Sequence, residues 1–85
     1  MEYQLKIKPG VEKEIEKLSK KEYQRILLAF TAIASDPFIG KKLEGEYAEC
    51  YSYRVWPYRI IYQILKKQLV VLVIKVGHRQ GVYKK

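Results

Sequence analysis

The spacing of hydrophobic residues changes twice along the chain, and each change predicts a different kind of element. Residues 3–8 alternate apolar and polar side chains with a period of two, which is typical of a half-exposed strand. Pro9-Gly10 ends that pattern, because neither residue continues a strand well. We therefore expect a short N-terminal strand that stops before residue 9.

Helical spacing of the apolar residues follows. Val11, Ile15 and Leu18 predict a short amphipathic helix. Ser19 is expected to be the N-cap of a second helix, which Asp36-Pro37 ends. The apolar stripe of this second helix, which we assign to packing, consists of Tyr23, Ile26, Leu27, Phe30, Ile33 and Ala34. The two helices together predict a helical hairpin.

The last part of the chain has the pattern of a sheet. Residues 47–56, 58–65 and 69–76 are rich in aromatic and branched side chains, and short turns separate them. Such short connections make the strands antiparallel neighbours. Residues 69–74 are apolar on both faces, so this strand should lie inside the sheet. The order of elements predicts the α+β class: an N-terminal strand, a helical hairpin and an antiparallel sheet of three or more strands.

Charged residues are distributed unequally along the chain. Residues 1–49 hold nine Lys and Arg and all nine acidic residues, whereas residues 50–85 hold eight Lys and Arg and no acid. The net charge of +8 therefore lies entirely in the C-terminal part. A half of the chain whose charged residues are all positive favours a negatively charged partner, and nucleic acid is the commonest such partner.

Length and cysteine content restrict the class of protein. Eighty-five residues fit a single domain, spanning residues 1–85. The lone Cys50 predicts a small apolar core residue in a reduced, cytoplasmic protein. Because the chain has neither a signal peptide nor an apolar run of membrane-spanning length, we expect no contact with a membrane.

Candidate chemistry lies on two adjacent strands. Alternation places Ser52, Arg54 and Trp56 on one face, and Arg59 follows a short turn. The guanidinium groups of Arg54 and Arg59 can converge on one anion, because their planar donor forks suit phosphate oxygens. For either arginine alone, the favoured interpretation is a solvated side chain at a sheet edge or an ion pair with one of the N-terminal glutamates.

A third basic cluster follows the last strand, between two glycines. His78 can exchange a proton near neutral pH, Arg79 can stabilise an anionic phosphorane, and Tyr83 can stack on an unpaired base. The alternatives are a surface or core-lining side chain for the histidine, and an apolar anchor with a solvated hydroxyl for the tyrosine.

Four motifs, in order along the chain, resemble the RelE/ParE superfamily of bacterial and archaeal toxins. They are Ser35-Asp36-Pro37, Lys42-Leu43-Glu44-Gly45, Tyr58-Arg59-Ile60-Ile61-Tyr62, and Val76-Gly77-His78-Arg79 with Val82-Tyr83. The resemblance implies a compact sheet with a helical hairpin packed on it. It also implies an acidic, RelB-like antitoxin that neutralises the toxin in a hetero-oligomer.

RelE-type members are ribosome-dependent mRNA endoribonucleases, and the resemblance assigns roles to individual residues. Arg59 matches the arginine that stabilises charge on the scissile phosphate, and Arg79 matches one assigned to leaving-group protonation or phosphate contact. Tyr83 matches the tyrosine that stacks on the mRNA base. Arg54 falls on one of two positions that hold lysines in the best-studied enzymes. Ser52, which falls on the other, departs from the pattern because it carries no charge.

The remaining expectations concern further candidate site residues and the type of reaction. His78 is a candidate acid or base. The candidate RNA contacts are Ser52, Lys75, Lys84 and Lys85. The terminal lysines are also consistent with a solvated tail. The implied reaction is attack of a 2′-hydroxyl on the adjacent phosphate of mRNA on the ribosome, without a metal or other cofactor. A ParE-like inhibitor of DNA gyrase and a non-catalytic basic module that binds RNA or the antitoxin are the alternatives.

Overall fold

The computed structural model describes residues 3–45 and 49–78, which form two helices packed on one mixed sheet. The helices and strands are β1 (Gln4–Ile7), α1 (Pro9–Glu16), α2 (Lys20–Ser35), β2 (Lys41–Lys42), β3 (Cys50–Val55), β4 (Tyr58–Leu65) and β5 (Val70–His78), with a 3-10 turn at Pro37–Ile39. The predicted α+β class and order of elements are confirmed.

The five strands lie in the order β1-β5-β4-β3-β2. Strands β3, β4 and β5 are antiparallel neighbours, and β5 lies inside the sheet, as predicted. The N-terminal strand pairs in parallel with β5, from Gln4 beside Val70 to Ile7 beside Val73. Strand β2 adds a short opposite edge, with Lys41 beside Ser52. The chain between the two strands of this parallel pair contains the helical hairpin and then β2, β3 and β4.

Local sequence explains where the helices begin and end. Pro9 occupies the first turn of α1, where a missing N–H costs nothing, so it ends β1 and starts the helix at once. The Ser19 hydroxyl accepts a hydrogen bond from the Glu22 N–H at 3.2 Å, which confirms Ser19 as the N-cap of α2. This helix ends at Ser35, directly before Asp36-Pro37.

Most of the predicted apolar stripe of α2 packs in the core, but Leu27 does not. Ile26, Phe30 and Ile33 are buried, whereas Leu27 is 39% exposed, so the assignment of Leu27 to packing is wrong. Successive helical residues are about 100° apart, and the sheet covers only the side centred on Ile26 and Phe30. Leu28 is turned still further from the sheet and is 71% exposed.

Tyr62 joins the sheet to the segment that follows α2. Its side chain is fully buried, and its hydroxyl donates a hydrogen bond to the Pro37 carbonyl at 2.7 Å. The Gly40 N–H donates to the same hydroxyl at 3.2 Å. A Cβ on Gly40 would meet this hydroxyl and would lie 2.9 Å from the Ser52 carbonyl oxygen, so only glycine fits there. The segment that leads into β2 is therefore fixed by one tyrosine.

Burial raises the pKa of Tyr62 to about 12, from the usual value of 10.0. The folded state thus retains the phenolic proton between pH 10 and pH 12, where the unfolded chain loses it. The stabilisation is fully present below pH 10 and is lost as the pH rises, by about 1.4 kcal/mol per pH unit in that window. We expect urea unfolding at several pH values to show this decrease, and Tyr62→Phe to remove most of it. An equally steep decrease in the variant would assign the effect to other groups.

Two further observations bear on the protein's class. The Cys50 side chain is buried, which confirms it as a core residue, and burial raises the pKa of its thiol. Neither described helix combines the length and apolarity needed to cross a membrane.

Candidate functional site

The two faces of the sheet pack differently within the molecule. One face lies under the helices, where Tyr51, Tyr53, Tyr58 and Ile64 pack on the main core. On the other face, which we call the open face, the described residues form a small apolar cluster of Leu43, Cys50, Ile61 and Ile74. Because side chains alternate along a strand, Ser52 and Arg54 lie on the open face, as predicted.

Arg54 and Arg59 are directly opposite each other across the β3–β4 hairpin, and Gly77 of β5 lies beside Arg59. Directly opposed residues have Cβ atoms about 5 Å apart and share one face. The strand register therefore makes the two arginines direct neighbours, as the predicted convergence of their guanidinium groups on one anion requires. Trp56 lies in the turn beyond Val55, outside β3, so the alternation that predicted its face does not extend to it.

A second row of residues crosses the open face beside the arginines. Lys41 of β2 is opposite Ser52, Ser52 is opposite Ile61, and Ile61 is opposite Lys75. Lys41 is diagonal to Arg54, and Lys75 is diagonal to Arg59 in the same way. Diagonal neighbours are about 7–8 Å apart, which long side chains can bridge. Four cationic side chains thus surround Ser52 and Ile61.

Ser52 has an unusual environment for a predicted RNA contact. It is only 5% exposed, and its hydroxyl oxygen is buried without a hydrogen-bond partner among the described residues. The serine hydroxyl therefore lies below the cationic side chains and is not presented to solvent.

The charged side chains on the described strands are all basic. The five described strands contain no Asp or Glu, whereas α1 and the first turn of α2 carry Glu12, Glu14, Glu16 and Glu22. These four carboxylates lie on the helical side of the molecule, whereas Glu44 and Glu49 lie in loops next to Leu43 and Cys50 of the open-face cluster. The open face can consequently attract an anion without repulsion from a carboxylate on its own strands.

His78 is at the same end of the sheet as the arginines but on the other face. Its partner in the register is Tyr58, and the two rings make an edge contact with centroids 6.1 Å apart. The Tyr58 hydroxyl donates to the Glu22 carboxylate at 3.0 Å, which places both rings on the helical face. Burial and this carboxylate raise the pKa of Tyr58. The structure thus does not bring the His78 ring onto the face of Arg54 and Arg59.

Four predicted site residues, Arg79, Tyr83, Lys84 and Lys85, lie outside the described residues. The described chain ends at His78, beside a groove of about 590 Å³ between α1 and β5. Lys8, Glu14, Lys75 and His78 are among the residues that line this groove.

Lys41 is the site residue that sequence reasoning missed. Charges cancel in the N-terminal part, so nothing in the composition singled out a lysine there. A two-residue edge strand is also too short to give a periodicity signal. The available signal was the motif that begins at the adjacent residue, Lys42.

Comparison with known proteins shows the family of this chain. Residues 5–83 match the family described as the ParE toxin of the type II toxin-antitoxin system parDE. A RelE-like toxin protein of Escherichia coli is 32% identical over 83 residues, covering 94% of this chain and 86% of that protein.

Solved structures show the same fold. A chain of the RelBE2 toxin-antitoxin complex of Mycobacterium tuberculosis has a TM-score of 0.84 and 26% identity, with 93% of each chain covered. The archaeal RelE-RelB complex of Pyrococcus horikoshii gives a TM-score of 0.82 and 29% identity, covering 96% of this chain and 100% of that one. The matching family, the similar sequences and the shared fold together show that this chain belongs to the RelE/ParE superfamily of toxins of type II toxin-antitoxin systems.

Proposed function

We propose that this toxin is a ribosome-dependent endoribonuclease that acts in the cytoplasm, cleaves mRNA during translation and thereby inhibits protein synthesis. The observation that carries the proposal is the direct opposition of Arg54 and Arg59 on a face whose strands contain no carboxylate. Two adjacent guanidinium groups can bind the nonbridging oxygens of a phosphate with charge-assisted hydrogen bonds. Such contacts strengthen as the phosphate gains negative charge in the transition state.

The proposed reaction is an internal transesterification. The 2′-oxygen attacks the adjacent phosphorus, its proton passes to a general base, and the bond to the 5′-oxygen breaks with protonation of that oxygen. The products are a 2′,3′-cyclic phosphate and a free 5′-hydroxyl. Arg54 and Arg59 stabilise the pentacoordinate phosphorane, and Arg79 assists the leaving group. Cationic side chains supply this stabilisation, so the proposed step uses no metal ion.

The proposed partner is an acidic antitoxin. Two of the similar structures are complexes of a RelE-type toxin with its antitoxin, and the charge of +8 on this chain favours an acidic protein. A segment that covers Arg54 and Arg59 would neutralise the toxin by excluding RNA from the open face.

The first test is cleavage on programmed ribosomes. Purified toxin is incubated with ribosomes that carry a defined mRNA, and the new 5′ ends are mapped. We expect cuts within the codon in the ribosomal A site, each with a 5′-hydroxyl, and we expect Arg79→Ala to lose them. Intact mRNA with the wild-type protein, under conditions in which the protein is folded, would contradict the proposal.

Inhibition of DNA gyrase is the second candidate function, because the matching family is that of ParE toxins. A supercoiling assay with purified gyrase distinguishes the two functions. Inhibition of supercoiling without mRNA cleavage would favour a ParE-like activity.

A further inference from the structure

We propose that Lys41 binds a backbone phosphate of single-stranded RNA next to the phosphate held by Arg54 and Arg59. The inference rests on the proposed function for the identity of the ligand. Its geometric basis is the register of β2 with β3, which places Lys41 directly opposite Ser52.

Two observations place Lys41 on the open face. Ser52 lies on this face, and opposed residues share a face. Leu43 packs against Cys50 and Ile61 in the apolar cluster of the open face, and Lys41 precedes Leu43 by two positions. Lys42 has the opposite orientation, because it pairs with Tyr51, whose ring packs on the core under the helices.

The four cations follow a path across the sheet. Lys75 is on β5, Arg59 on β4, Arg54 on β3 and Lys41 on β2, so each of these four strands contributes one cation to the path. Neighbouring strands are about 4.8 Å apart, so Lys41 lies two strands away from Arg59. An anion between the two arginines is therefore too distant for Lys41 to share it equally. Lys41 is instead placed for the next phosphate of an RNA chain that crosses the strands.

The buried hydroxyl of Ser52 supports a polar ligand here. It lies between Lys41 and Ile61 in the same row and has no hydrogen-bond partner among the described residues. A buried hydroxyl without a hydrogen-bond partner is destabilising, so its presence in a native structure calls for an explanation such as a bound polar group. A phosphate held by Lys41 would lie above Ser52, next to the phosphate held by Arg54 and Arg59.

The test measures RNA binding and does not depend on cleavage. The probe is a fluorescent single-stranded oligonucleotide with 2′-O-methyl groups at every position, titrated with toxin at several salt concentrations. Lys41→Ala should weaken binding severalfold and reduce the slope of log affinity against log salt by about 0.7, the value for one lost phosphate contact on a single strand. Lys42→Ala, which removes the same charge from the adjacent residue, should leave both quantities close to wild type.

Equal behaviour of the two variants would overturn the proposal, and so would a failure of the wild-type protein to bind the oligonucleotide at low salt. Cleavage on ribosomes is measured in parallel, with a raised KM and an unchanged kcat expected for Lys41→Ala. Cleavage by the wild-type protein, together with identical binding by both variants, would refute the role of Lys41 and leave the proposed function standing.

Discussion

Replacement of Arg59 by alanine should lower the rate of mRNA cleavage by about a hundredfold or more, because loss of one preorganised contact to a developing charge typically has that effect. Arg59 lies opposite Arg54 and beside Gly77, at the point where three strands meet near the candidate phosphate site. Single-turnover cleavage on programmed ribosomes measures the effect directly. Arg59→Lys should retain part of the activity, since it keeps the charge and loses the planar donor fork.

Lys67→Ala is the matched control for Arg59. Lys67 is an exposed residue in the turn between β4 and β5, at the opposite end of β4 from Arg59. Both substitutions remove one positive charge from the basic part of the chain, so a general loss of attraction to RNA would affect both. We expect near-normal cleavage by Lys67→Ala and near-wild-type circular dichroism for each variant. Wild-type cleavage by Arg59→Ala would remove Arg59 from the mechanism.

Replacement of Tyr62 by alanine should destabilise the fold by about 3–5 kcal/mol, the range for deletion of a large buried aromatic side chain. The ring is fully buried and stacks on Tyr51 with centroids 5.8 Å apart, so alanine leaves a cavity under the helices. Its removal also leaves the Pro37 carbonyl and the Gly40 N–H without their partner. Urea unfolding of the purified variant gives the change in free energy.

Tyr62→Phe separates the hydroxyl from the ring. It retains the packing against Tyr51 and removes only the hydrogen bonds, so we expect a loss of about 1–3 kcal/mol at neutral pH. Equal losses for the alanine and phenylalanine variants would mean that the ring itself contributes little. A negligible loss for the phenylalanine variant would mean that the segment after α2 is held by other contacts.

Much of the architecture was predictable because it depends on short-range patterns. Period-two alternation placed Arg54 and Ser52 on one face, and the short turn placed Arg59 on the adjacent strand. The cap at Ser19 and the stop before Asp36-Pro37 are local effects, so they too were read correctly. Leu27 was misplaced because periodicity gives the direction of a stripe but not the width of the surface that covers it.

The sequence alone determined the class of fold, the order of elements, the basic character of one half and the resemblance to RelE/ParE toxins. Tertiary structure decided which distant residues meet: the parallel pairing of β1 with β5, the separation of His78 from the arginines, the burial of Ser52 and the position of Lys41. The physical reason is that local patterns fix the direction of a side chain relative to its own strand or helix. Pairing between remote segments depends on the packing of the whole chain, and only that packing turned Lys41 towards the candidate RNA path.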